Sequence, residues 1–180
     1  IAYERSLFST ELAAWHDLRS LPMDEDKHDR PMTAWCNGSP GIGLARLSTL
    51  SYLDNSEIRS EVSAALKDTL DRGFGGNHCL CHGDLGNLEL LLQASLTFKD
   101  PLWKNHLDRF TSIILESIEQ HGWLCGVPLG VETPGLMTGL AGIGYQLLRL
   151  AEPDLVPSVL VLESLKLDRT KLDPSILTLP

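Results

Sequence analysis

A chain of 180 residues, 43% hydrophobic and 22% charged, has the make-up of one folded domain with a sizeable core rather than a disordered segment. Fifteen Lys and Arg against 24 Asp and Glu give a formal net charge of −9, which argues against charge-driven binding to nucleic acid or anionic membranes. No run approaches the roughly 20 apolar residues that span a bilayer. The opening Ile1-Ala-Tyr-Glu-Arg5 lacks both the apolar segment of a signal peptide and an initiator Met, so the expectation is a cytoplasmic chain that begins partway through a longer protein.

Residues 1–34 read as the end of a preceding helical hairpin and an exposed loop. A helical pattern runs over 11–18, and the charged stretch 24–30 (DEDKHDR) is solvated surface. From Trp35 two kinds of helix alternate. One follows a Gly-rich turn and is apolar nearly all round: 41–54, 85–97 and 136–151. A helix without a polar face must be covered by other protein. The other is amphipathic. Ile58, Val62, Ala65, Leu66 and Leu70 share one stripe, as do Trp103, Leu107, Phe110, Ile114 and Ile118, with charges elsewhere. No strand alternation of comparable length occurs, so the class is all-α. Buried and surface helices in alternation predict a two-layer α/α toroid with its Gly-rich turns at one rim. Gly41, Gly86 and Gly142 mark the repeat, and a closed ring of about six hairpins needs roughly twice this length. The chain therefore reads as the C-terminal half of a barrel over 35–165, followed by a tail over 166–180.

Four cysteines, two of them two residues apart, do not form a secreted disulfide framework; with neighbouring histidines they suggest metal binding or catalysis. Cys36 lies on the turn before the first apolar helix, and Cys81 and His82 lie on the turn before the second. In a toroid these stations converge. Two thiolates and an imidazole suit Zn²⁺, and three protein ligands leave a position for water or substrate. The competing reading is that Cys36 and Cys81 are small buried residues and His82 caps a helix. Cys79 is a rival ligand, since i and i+2 of an extended segment share a side. Cys125, before the third apolar helix, reads as a packed thiol. His16, His28, His78, His106 and His121 read as structural or solvated, and Trp35 and Trp123 as rim packing. There is no phosphate loop and no nucleophile elbow, and the glycines of 139–144 follow no strand.

Residues 35–47 (WCNGSPGIGLARL), 77–92 (NHCLCHGDLGNLELLL) and 122–163, with GWLCG and VETPGLMTGLAGIGY, closely resemble the C-terminal LanC-like cyclase domain of class II lanthipeptide synthetases, the LanM family. The resemblance implies an α/α toroid holding one Zn²⁺, with Cys36 and Cys81 matching the metal cysteines and His82 the metal histidine. It implies addition of peptide Cys thiols to dehydroalanine or dehydrobutyrine, giving lanthionine or methyllanthionine rings. The partners it implies are a lanthipeptide precursor peptide, the N-terminal half of the toroid, and a dehydratase domain, which alone would use ATP and Mg²⁺. The family associates proton delivery with a histidine upstream of this chain. Neither His16 nor His28 has the expected His-Gly context, so no catalytic residue is assigned, and the fragment is expected to be incomplete for catalysis. A non-catalytic LanC-like protein that binds zinc, peptide or thiol is the alternative. A toroidal glycosidase using carboxylates such as Glu132 and Asp84 would leave the Cys-Cys-His set unexplained.

Overall fold

A computed structural model describes residues 1–18 and 31–164. Its elements in chain order are α1 (Ala2–Ser6), β1 (Phe8–Ser9), β2 (Ala14–Trp15), α2 (Ser39–Thr49), α3 (Ser56–Arg72), α4 (Asp84–Phe98), α5 (Pro101–His121), a single 3₁₀ turn (Pro128–Gly130) and α6 (Leu140–Ala151). The fold is all-α; the strands are a two-residue antiparallel pair that joins Phe8 to Trp15 and Ser9 to Ala14.

The outer helices are set by their ends and stripes. Asn55 caps α3 by accepting from Ile58 N–H at 2.9 Å, and Asp100 caps α5 by accepting from Leu102 N–H at 2.9 Å, with Pro101 at the first helical position. Ile58, Val62, Ala65 and Leu66 are buried on α3. On α5 only Ile114 is fully buried, while Trp103, Leu107, Phe110 and Ile118 pack half-buried against the core. These are the two stripes that the spacing predicts.

α2 pairs with α3 and α4 with α5, while α4 lies between α2 and α6. The inner layer is thus α2, α4 and α6, and the outer layer is α3 and α5. α4 is enclosed on nearly every side, from Asp84 through Leu92 and again at Ala94. Each enclosed leucine contributes about 1.5–3 kcal/mol relative to an exposed one. α6 has α4 on one side only, so Gly142, Ile143, Gln146 and Arg149 are buried while Leu148 is 63% exposed.

Three expectations need correction. Residues 11–18 are not a helix: Ala13 adopts φ +50, and Trp15 turns inward to pack edge-on against Phe8 at 4.9 Å. Burial of Trp15, 3% exposed, outweighs the local helical pattern. The first inner helix stops at Thr49 rather than running to 54. The Ser48 and Thr49 hydroxyls donate to the carbonyls of Leu44 and Ala45, competing with continuation of the helix. The third inner helix begins at Leu140, and 136–139 form its turn. The charged loop 24–30 and the tail 166–180 lie outside the described residues.

Candidate metal centre

The same turn is built three times. Trp35-Cys36-Asn37-Gly38, Leu80-Cys81-His82-Gly83 and Leu136-Met137-Thr138-Gly139 each end in the glycine that caps an inner helix. Three residues further on stand Gly41, Gly86 and Gly142. A β-carbon there would lie 2.1, 1.9 and 1.7 Å from the carbonyl oxygens of Trp35, Leu80 and Leu136, respectively. Only hydrogen fits, so each inner helix starts directly against the turn that precedes it.

Backbone hydrogen bonds join the copies at equivalent positions. Cys36 N–H donates to the Cys81 carbonyl at 3.0 Å, and Cys81 N–H donates to the Met137 carbonyl at 2.8 Å. This stitching sets Cys36 beside Cys81 and brings His82 with it. One ligand atom from each of the three lies within 4.8 Å of the other two. Tetrahedral zinc wants sulfur–sulfur and sulfur–nitrogen separations of about 3.6–3.8 Å. The three donors are therefore within small side-chain adjustments of that geometry, and their chemistry fits the metal. In the third turn Met137 and Thr138 occupy the ligand positions, so that turn offers neither thiolate nor imidazole.

Cys36 is exposed and Cys81 half-buried, while Gly83, not His82, caps α4. The reading of the three as buried packing residues and a helix cap does not describe them. The N-termini of α2 and α4 open immediately after the cysteines, and their partial positive charge favours anionic sulfur. Cys79 lies next to this cluster without joining its donor set. It is fully buried and its Sγ accepts the His82 N–H at 3.4 Å. Burial pushes its thiol up, against the backbone N–H groups of His82 and Cys81. Cys125 is a packed thiol, 1% exposed.

A cavity of about 470 Å³ opens beside Cys36, lined among others by Tyr3, His16, Trp35 and Asn37. Trp35 also donates its indole N–H to the Leu160 carbonyl at 3.2 Å, holding the segment after α6 against the first turn. His28 lies outside the described residues; His106 is half-buried with its ring tilted beside that of Trp103 at 5.9 Å, and His121 is exposed. Glu132 is exposed, whereas Asp84 is buried and accepts the Gly75 and Gly76 N–H groups, both at 3.0 Å, so Asp84 is engaged by backbone. His78, read from the sequence as structural or solvated, is structural: it is fully buried and bonded through both ring nitrogens. Sequence reasoning missed the equivalence of Met137 to Cys36 and Cys81, which alignment on Gly38, Gly83 and Gly139 displays.

The sequence model of the family described as lanthionine synthetase C-like protein matches residues 1–161. The lacticin 481/lactococcin biosynthesis protein LcnDR2 of Lactococcus lactis subsp. lactis is 34% identical over 128 residues, covering 64% of this chain and 14% of that protein. The nisin biosynthesis protein NisC of the same organism is 24% identical over 110 residues, 61% of this chain and 25% of that protein. The chain thus spans only a minor part of either relative.

Proposed function

Because the chain belongs to the lanthionine synthetase C-like family, we propose that it forms the metal-binding part of a zinc-dependent cyclase of the class II type. The reaction is closure of lanthionine and methyllanthionine rings in a lanthipeptide precursor, in the cytoplasm. The observation that carries this reading is the convergence of Cys36, Cys81 and His82. The two relatives, named for lacticin 481 and nisin biosynthesis, support the substrate class. No helix among the described residues is long and apolar enough to cross a membrane.

In the reaction a peptide cysteine loses its thiol proton, its sulfur bonds to the β-carbon of a dehydro residue, and the α-carbon takes a proton. When bound, zinc supplies the Lewis acidity that makes a coordinated thiol acidic near neutral pH. Cys36, Cys81 and His82 would hold the ion. Met137 and Thr138, at the ligand positions of the third turn, leave a place for the peptide thiol. Trp35 and the cavity beside Cys36 would seat the flanking peptide, displacing water from the reacting atoms. Protonation of the α-carbon is assigned to no residue of this chain. Dehydration, with ATP and Mg²⁺, belongs to a separate domain.

Metal content is the direct test. Protein purified under reducing, chelator-free conditions is expected to carry about one equivalent of zinc, and Cys36→Ala and Cys81→Ala less than about a tenth, with helical circular dichroism retained. A folded wild-type chain with less than about a tenth of an equivalent would overturn the reading.

A further inference from the structure

His78 bonds through both its backbone and its ring to the segment that follows α5. Its backbone N–H donates to the Leu124 carbonyl at 2.8 Å, and its Nδ1 accepts the Leu124 N–H at 3.1 Å. One residue therefore satisfies both polar groups of Leu124. With Nδ1 accepting, the ring proton sits on Nε2 and donates to Ser117 Oγ of α5 at 3.0 Å. Two residues beyond Leu124, Gly126 N–H donates to the Thr138 carbonyl at 2.8 Å. Residues 124–126 are thus clamped at one end by His78 and at the other by the third turn.

The middle of that clamp lies on the candidate metal ligands. A β-carbon at Gly126 would sit 2.4 Å from Cys79 Sγ and 2.9 Å from His82 Nε2, so the bare glycine backbone forms the wall against which the His82 ring rests. We propose that His78 is a positioning residue: by holding residues 124–126 in place, it fixes the orientation in which His82 presents its nitrogen to the metal. The inference rests on the metal reading above and extends it to a residue that touches neither metal nor substrate. Groups that orient metal ligands from outside typically change metal affinity by about 10- to 100-fold when removed.

The side-chain chemistry makes the idea separable from a general packing role. An Asn at position 78 places an acceptor near Nδ1 and keeps the Leu124 bond, whereas a Gln reaches the Nε2 side and loses it. The experiment loads the full chain with Zn²⁺ and follows release to a chromogenic chelator. Parallel Co²⁺-loaded samples report ligand geometry through their visible bands, and thermal melts of the metal-free proteins report the fold. His78→Ala, His78→Gln and Gly126→Ala are expected to release zinc about 10- to 100-fold faster and to alter the cobalt spectrum, with His78→Asn close to wild type. Should His78→Ala not fold, the Asn and Gln pair carries the comparison. Wild-type release rates in His78→Gln or in Gly126→Ala, or equally fast release from His78→Asn and His78→Gln, would overturn the proposal while leaving the metal centre intact. A wild-type chain that takes up neither metal would overturn the metal reading itself, and this inference with it.

Discussion

Burial holds the His78 imidazole below the ordinary histidine range, and the nearby Asp84 carboxylate opposes this only in part. The neutral ring is also the form that the Leu124 N–H requires. As pH falls from the ordinary histidine value of 6.5, unfolded chains take up the proton before the folded protein does. The stability contributed by His78 is therefore complete above that value and is lost as pH falls toward the lower folded one. Asp84 has the opposite sign, because burial raises its carboxyl against the N–H bonds of Gly76 and Gly75, and it is present in both proteins compared below. Urea unfolding of metal-free wild type and His78→Asn between about pH 7.5 and 5 is expected to show wild type losing its advantage on acidification. A gap that stays constant or widens would contradict this. The same physics distinguishes the sulfurs: burial raises the thiol of enclosed Cys79, while Cys36 lies at the surface.

Within the inner layer, α4 and α6 are joined by more than apolar contact. Glu89, fully buried on α4, accepts from Gln146 at 2.6 Å and pairs with Arg149 at 2.9 Å, both on α6. Arg149 continues to the Val156 carbonyl and lies 3.4 Å from Glu163, so one guanidinium ties the end of α6 to the chain beyond it. Removing one member leaves the other charged and enclosed. Glu89→Ala is expected to destabilise the chain by about 3–5 kcal/mol in urea unfolding, whereas Glu89→Leu with Arg149→Met together should recover most of that loss. If the single change costs under about 1 kcal/mol, water reaches the pair and the enclosed network is not what couples these helices.

Three copies of one turn meet at a single rim, and a metal held by two of them closes a contact between segments 45 residues apart in sequence (Cys36 to Cys81). Binding to the folded state alone stabilises by about 4 kcal/mol when free metal is 1,000-fold above the dissociation constant. For a chain of this size each kcal/mol moves the melting temperature by about 2–4 °C. Chelation of zinc-loaded protein is therefore expected to lower the melting temperature by roughly 10 °C, and Cys36→Ala to melt at the chelated value whether or not chelator is present. A wild-type melting temperature unmoved by chelator would mean that the ion, if present, does not bridge the turns.

Much of this was legible from residue order because the signals are local. Apolar stripes at 58–70 and 103–118 need only the helical repeat, the enclosed character of α4 follows from its lack of a polar face, and the glycine turns recur at visible spacing. Cys36, Cys81 and His82 could be nominated as candidates because the turn recurs with them at equivalent stations and the family resemblance points to the same three. What the order of residues did not contain was partnership across distance. Whether Trp15 turned inward or continued a helix depended on Phe8 and the core behind it. Which of two cysteines, Cys79 or Cys81, faced the cluster depended on the hydrogen bonds that join neighbouring turns. That His78 and Glu89 were bonded rather than incidental depended on Leu124, Gln146 and Arg149, each more than 40 residues away. Periodicity is a property of the chain, but satisfaction of a buried polar group is a property of whatever the fold brings beside it, and only the tertiary structure supplies that neighbour.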